Sequence, residues 1–315
     1  MEMNQISERE SSASVDKTAT AAPVYKRKRG DRKDGIWLKD IPGLQSIMAH
    51  LWPNRTDREV CLFDRLDATE LMQYLSAKNA AHPDYKTTIF HCYLYGIAKM
   101  LNERPKMNRF ICGRRFYQHT EISLSFVAKR RFEDHAEESL MYLVPEENET
   151  LDSFSHKISG IVHTAKTEEH AVAGVDATLD NLAKLPRPLL MLIVRIVRWM
   201  DFWGVVPRSL TAGDPNYSSV LASNLGSIKA PEVYHHLNNY GTLSIMTTLG
   251  ELHKEEILMP DGTKQLRDIV DFSATIDESI ADGFYYSKSL RLLKHLFRHP
   301  ELFDAPLSVP SGFEY

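Results

Sequence analysis

The sequence predicts an α/β (α+β) two-layer sandwich in which helices cover one face of a mixed sheet. Three observations carry that expectation. From Gly35 onward, short runs rich in β-branched and aromatic residues alternate with amphipathic helical stretches. Turn and capping residues stand at the boundaries, as at Asn148 to Thr150 and at Asp282-Gly283. No period repeats along the chain, which sets aside solenoids and propellers.

The elements follow in order. Residues 1–34 read as a disordered tail, because Met1 to Ala22 hold too little apolar surface to offset the entropy of ordering. The basic run Lys26 to Lys33 reads as a solvated lead-in with interspersed charge, the alternative being a contact with nucleic acid or anionic lipid. A single domain is expected over 35–305, with a C-terminal tail at 306–315. Strands are expected at Val60 to Phe63, Arg109 to Ile111, Glu121 to Ala128, Ser139 to Leu143, Ser219 to Ala222, Leu243 to Leu249 and Ile269 to Ile276. Helices are expected at Ala68 to Ser76, Thr87 to Glu103, Leu151 to Thr164, Asp176 to Lys184, Pro188 to Trp203 and Asp282 to Arg298.

Composition narrows the function. Lys+Arg 38 against Asp+Glu 42 leaves a net charge of −4, so no field of one sign marks the whole molecule for nucleic acid. The three cysteines, Cys61, Cys92 and Cys112, form neither a disulfide framework nor a zinc spacing, which fits a reducing cytoplasm. The first thirty residues lack the apolar core of a signal peptide. There is no Walker loop, no Gly-x-Gly-x-x-Gly and no Gly-x-Ser-x-Gly elbow. His235-His236 has no partner pattern for a metal and reads as a structural pair.

Segment 188–206 is unusually apolar, yet Arg195, Arg198 and Asp201 fall inside the ~20 residues a membrane span requires. Its expected place is against its own domain or a neighbouring subunit. An interfacial helix touching a membrane surface, or a lid over an acyl site, is the alternative. Trp199 and Trp203 share one helix face.

Chemistry concentrates near the C-terminus. The strand Val270 to Ile276 runs into Asp277, Glu278, Ser279, Ile280, Ala281, Asp282 and Gly283, and then into a helix. Upstream stands Ser223-Asn224-Leu225-Gly226, and further upstream Arg104-Pro105-Lys106-Met107-Asn108. In this order and spacing the blocks resemble the catalytic domain of the 2-oxo-acid dehydrogenase (dihydrolipoyl) acyltransferases and of chloramphenicol acetyltransferase. The likeness covers roughly Trp37 to Phe303. It implies a chloramphenicol acetyltransferase-like fold and a homotrimer with active sites between subunits. It also implies acyl transfer from a coenzyme A thioester, a co-substrate rather than a permanently bound cofactor, to a small acceptor. Ser223 matches the serine that donates to the tetrahedral intermediate, and Asp282 matches a structural aspartate. Glu278 stands where the family has its catalytic histidine.

That exchange changes the proton transfer. A free glutamate, at pKa about 4.3, is a weaker base than a free histidine at about 6.5, and each unit is worth about 1.36 kcal/mol. A glutamate base therefore adds ~3 kcal/mol unless burial raises it. Two readings stay open. In one, Glu278 is the base, serving a hydroxyl or amine acceptor more readily than a thiol. In the other, catalysis is lost and the fold persists as an acyl-CoA-binding or scaffold module, with Glu278 an acid at a helix start. His236 is a lesser candidate for the missing imidazole.

Overall fold

The structure, a computed structural model, describes residues 27–129, 138–167, 182 and 184–314. The elements are β1 (Gly35–Trp37), α1 (Gly43–Leu51), β2 (Glu59–Asp67), α2 (Thr69–Ala81), α3 (Ile89–Glu103), β3 (Arg109–Cys112), β4 (Arg115–His119), β5 (Leu124–Lys129), β6 (Glu138–Leu143) and α4 (Leu151–Thr167). They continue with α5 (Arg187–Trp203), α6 (Arg208–Thr211), β7 (Val220–Asn224), β8 (Ile245–Leu258), β9 (Lys264–Asp277) and α7 (Gly283–Arg298). The expected helix at Asp176 to Lys184 falls almost wholly outside the described residues, as does the expected disordered stretch Met1 to Ala22.

Six strands form the main sheet in the order β2-β9-β8-β7-β5-β6. The two central pairings, β8 with β7 and β7 with β5, are parallel, and the flanking ones are antiparallel. It is therefore a mixed sheet. Helices α2, α3, α4 and α7 pack together on one face. Their common core explains the alternation along the central strands: Val220 and Ala222 of β7 and Val270, Phe272, Ala274 and Ile276 of β9 point into it at a period of two. Helix α3 lies at the centre of this layer, buried at every position from Phe90 to Leu101.

The opposite face is crossed by the irregular segment 231–240. Val233 is fixed there by two hydroxyls, since Thr248 Oγ1 (2.9 Å) and Ser273 Oγ (2.6 Å) both donate to its carbonyl. Further on, the Leu237 amide donates to the Glu59 carboxylate. Leu237 fills a small apolar cluster with Leu221 and Leu243.

Several expectations need correction. The end of the N-terminal tail is ordered, because Arg32 is buried, ion-paired to Asp34 (2.9 Å) and to Asp201 of α5 (3.1 Å). The described part of the C-terminal tail, 306–314, is docked: Lys99 Nζ donates to the Pro306 and Val309 carbonyls, and Leu307 is buried. A second sheet, β1-β4-β3, of which only the strand β3 was expected, and an unexpected helix α1 complete the fold. Helix α5 forms as expected but does not bury itself against its own domain, Asp201 being its one buried residue.

Candidate active site

Strand β9 ends at Asp277, which is fully buried although it carries a carboxylate. Such a group is tolerated only when paired and hydrogen-bonded. Arg58 donates to it twice, from Nε at 3.2 Å and Nη2 at 3.0 Å, and the Ser279 amide donates at 3.2 Å. Arg55 Nε lies 3.9 Å from it, while the rest of that guanidinium donates to the carbonyls of Asn238, Tyr240, Gly241 and Ile111. Burial pushes the Arg55 pKa below its ordinary value, with Asp277 opposing the shift. This network joins the end of β9 to β3 and to the outer-face segment. Sequence reading missed it, since the partners of Asp277 lie about two hundred residues away in the chain.

Immediately after it, Glu278 opens one 3-10 turn and is exposed. Among the described residues it has no hydrogen-bond or ion-pair partner. The turn is held by α1, whose Gln45 Nε2 donates to the Ser279 carbonyl at 2.6 Å. Asp282 is the N-cap of α7, accepting from the Tyr285 amide at 2.8 Å, and is itself exposed. Asp282 thus caps a helix at the surface, whereas Asp277 is the buried, ion-paired carboxylate of this stretch.

Ser223 sits near the end of β7, in register with Thr248 of β8, which is in register with Ser273 of β9. In-register residues share a sheet face, so Ser223 lies on the outer face. It is half-buried, and among the described residues its hydroxyl has no partner. Gly226 just beyond it is required by packing: a Cβ there would stand 2.4 Å from the Gly250 carbonyl oxygen at the β8 bulge.

The structure does not bring Ser223 and Glu278 together within one chain. Two strand spacings across the sheet and five residues along β9 separate their rows, a distance of about 19 Å. His235 and His236, expected as a structural pair, are both exposed on the outer-face segment. Imidazoles are buried elsewhere, at His91 and His119, and burial pushes each down to a pKa of about 4.

Next to the Asp277 network lies a cavity of about 240 Å³ lined by Arg55, Arg58, Arg114, Arg198 and Asp201 among others. Asp201 and Asp277 are already committed to Arg32 and Arg58, so the cavity has positive charge to spare for an anion. Among the described residues no cluster of three His, Cys, Asp or Glu side chains offers a metal site. Cys61, Cys92 and Cys112 are all free thiols.

Solved structures give this geometry a context. A probable dihydrolipoamide acetyltransferase from Listeria monocytogenes superposes with a TM-score of 0.55 at 16% identity, covering 83% of this chain and 95% of its own. The dihydrolipoamide acetyltransferase of Azotobacter vinelandii gives 0.56 at 13% identity, covering 84% and 93%. A chloramphenicol acetyltransferase gives 0.52 at 11% identity, covering 84% and 99%. No family model matches the sequence, and no curated protein does. The chain has the chloramphenicol acetyltransferase-like fold of the 2-oxoacid dehydrogenase acyltransferase cores. Among the described residues no helix is long and apolar enough to cross a membrane.

Proposed function

We propose that this chain is an acyltransferase that moves an acyl group from a coenzyme A thioester to a hydroxyl, amine or thiol acceptor, working as a homotrimer with Ser223 of one subunit opposite Glu278 of the next. The observation that carries the reading is the pairing of an acyltransferase fold with two exposed or half-exposed groups, Ser223 and Glu278, that lack partners and stand about 19 Å apart. At that distance they act on one substrate only when different subunits supply them. The Azotobacter vinelandii enzyme, whose serine, histidine and asparagine were studied for their roles in catalysis, has the latter two four residues apart. Glu278 and Asp282 have the same spacing here.

In this mechanism the Glu278 carboxylate accepts the proton of the acceptor O–H or N–H as that atom bonds to the thioester carbonyl carbon. Ser223 Oγ donates a hydrogen bond to the oxyanion of the tetrahedral intermediate. Collapse breaks the C–S bond, and the departing thiolate recovers the proton from Glu278. The arginine-lined cavity supports an anionic donor such as coenzyme A. A charged carboxylate beside a thiol acceptor would oppose the thiolate it must form, which favours a hydroxyl or amine.

One observation favours the second reading, an acyl-CoA-binding or scaffold protein without turnover: Glu278 is exposed in the single chain rather than set in a closed site. Coenzyme A release from a panel of acyl-CoA thioesters, with alcohols and amines present, separates the two. The native protein is expected to turn over, with Glu278→Gln and Ser223→Ala each slowing it about 100-fold or more. Mixing the two variants should restore a fraction of activity, because a mixed trimer contains sites with both groups intact. Tight acyl-CoA binding without turnover, unaffected by Glu278→Gln, selects the binding module.

A further inference from the structure

The arginine-lined cavity beside the Asp277 network is built from parts that the proton transfer above does not use. Strands β3 and β4 are joined by Gly113 and Arg114 alone, since Cys112 pairs with Arg115. Both connecting residues have left-handed backbone, with φ of 56° at Gly113 and 63° at Arg114. A two-residue turn of this kind needs positive φ twice, and glycine, asparagine or aspartate ordinarily supplies it. Arginine is a costly occupant there, because its Cβ crowds the following carbonyl oxygen. Gly113 is fixed by packing, as a Cβ on it would stand 2.2 Å from the Phe202 carbonyl oxygen of α5. The turn therefore rests on the end of α5, and Arg198, four residues before Phe202, lies on the same helix face. Arg114 and Arg198 thus reach one cavity of about 240 Å³ from two separate elements. Both are exposed, whereas Arg55 and Arg58 are buried, so the first two form its rim and the second two its floor.

Charge decides what such a cavity can hold. Among the described residues Arg114 and Arg198 have neither an ion pair nor a hydrogen bond. Asp201 is the one acid on the wall, and it is committed to Arg32, which also pairs with Asp34. Asp277, behind the floor, is shared between Arg58 and Arg55. Five guanidiniums therefore meet three carboxylates, and two positive charges are left over. Cys112 does not offset them, because burial pushes its thiol up to about 12 and keeps it neutral. The floor is also short of an acceptor: Arg55 is 4% exposed, and among the described residues its Nε has no hydrogen-bond partner. A cleft lined by one sign of charge draws in the opposite ion. A phosphate monoester carries a charge of about −1.5 to −2 at neutral pH and three acceptor oxygens that suit forked guanidinium donors. A carboxylate brings only half the charge. The volume falls below the roughly 300–1,000 Å³ of sites for drug-sized ligands, so it fits a phosphate group rather than a whole coenzyme.

We infer that this cavity is a phosphate-binding subsite, with Arg114 and Arg198 closing on the phosphate over a floor of Arg55 and Arg58. Binding of phosphate here stands apart from the reaction proposed above. Only the source of the phosphate, the 3′-phosphate of coenzyme A or a separate phosphate ligand, rests on that reading.

Melting of the full chain in inorganic phosphate, chloride or acetate at one ionic strength tests it, since a ligand that binds only the folded state raises the melting temperature. A rise is expected with phosphate alone. Arg114→Gly suits the backbone of the turn, so the unliganded variant should melt no lower than the native chain, yet it should bind phosphate about tenfold more weakly. Arg198→Gln, at an exposed helix position, should weaken binding by a similar factor, and the two together about 100-fold. No rise with phosphate in the native chain overturns the proposal, as does a rise that survives both substitutions or is matched by acetate. Calorimetric titration assigns the source. Tighter binding of coenzyme A than of dephospho-coenzyme A, with the difference lost in Arg114→Gly, places the 3′-phosphate of the donor here. Equal binding of the two, with inorganic phosphate still bound, assigns the cavity to a separate phosphate ligand. Phosphate binding without any acyl-CoA turnover would sink the reaction and leave the subsite standing.

Discussion

Asp277 and Glu278 are neighbours in sequence and opposites in environment. Asp277 is fully buried and held by Arg58, Arg55 and the Ser279 amide. Glu278 is exposed and, among the described residues, has no partner. The difference teaches how the end of a strand can divide two jobs between adjacent acids. One carboxylate fixes the backbone through distant arginines, and the next is held out by that fixed backbone with its lone pairs uncommitted.

The largest effect should come from breaking the first member. Asp277→Asn leaves Arg58 and Arg55 buried without their countercharge, and a loss of about 3–5 kcal/mol is expected in denaturant unfolding. Glu278→Gln in the same experiment should shift stability by less than about 0.5 kcal/mol. Equal effects from the two would remove the distinction.

Acid should act through a different buried pair. His91 and His119 have folded-state pKa values lowered to about 4 by burial. In the unfolded chain they bind protons near pH 6.5, so between those values the unfolded state holds more protons than the folded one. Stability from each is therefore full above about pH 6.5 and is lost as pH falls toward 4, at roughly 3 kcal/mol per residue. Unfolding measured from pH 7 to pH 4 should show this slope, and His119→Gln should flatten it.

A smaller effect sharpens the roles of the two outer acids. Asp282→Ala removes the acceptor for the Tyr285 amide and should cost about 1 kcal/mol through the lost N-cap, with Asp282→Ser recovering most of it. A loss comparable to that of Asp277→Asn would mean that Asp282 organises the site by more than capping.

The contrast between helices α7 and α5 shows where sequence reading succeeds and where it stops. Both were expected within a few residues of where they stand, because helix periodicity and the signals at Asp282 and Pro188 are local. Burial is not local. Helix α7 turns Leu292, Leu293, Leu296 and Phe297 into the core, whereas α5 leaves most of its apolar side chains in the open. The short strands β1, β3 and β4, of three to five residues, carry too few alternations for a period to register. Only the Arg109 to Ile111 strand among them was anticipated.

The sequence by itself determined the alternation of strands and helices, the strand end at Asp277, the cap at Asp282 and the ordered blocks around Ser223 and Glu278, since each depends on residues within a few positions of one another. Tertiary structure alone decided that Asp277 is buried and ion-paired while Asp282 stands exposed at a helix start, that Ser223 and Glu278 lie far apart in one chain, and that α5 leaves most of its apolar side chains exposed. Those outcomes rest on pairings such as Arg58 with Asp277 and Arg32 with Asp201, where residues far apart in the chain meet only because burying a charge without a partner costs more than ordering the chain to supply one.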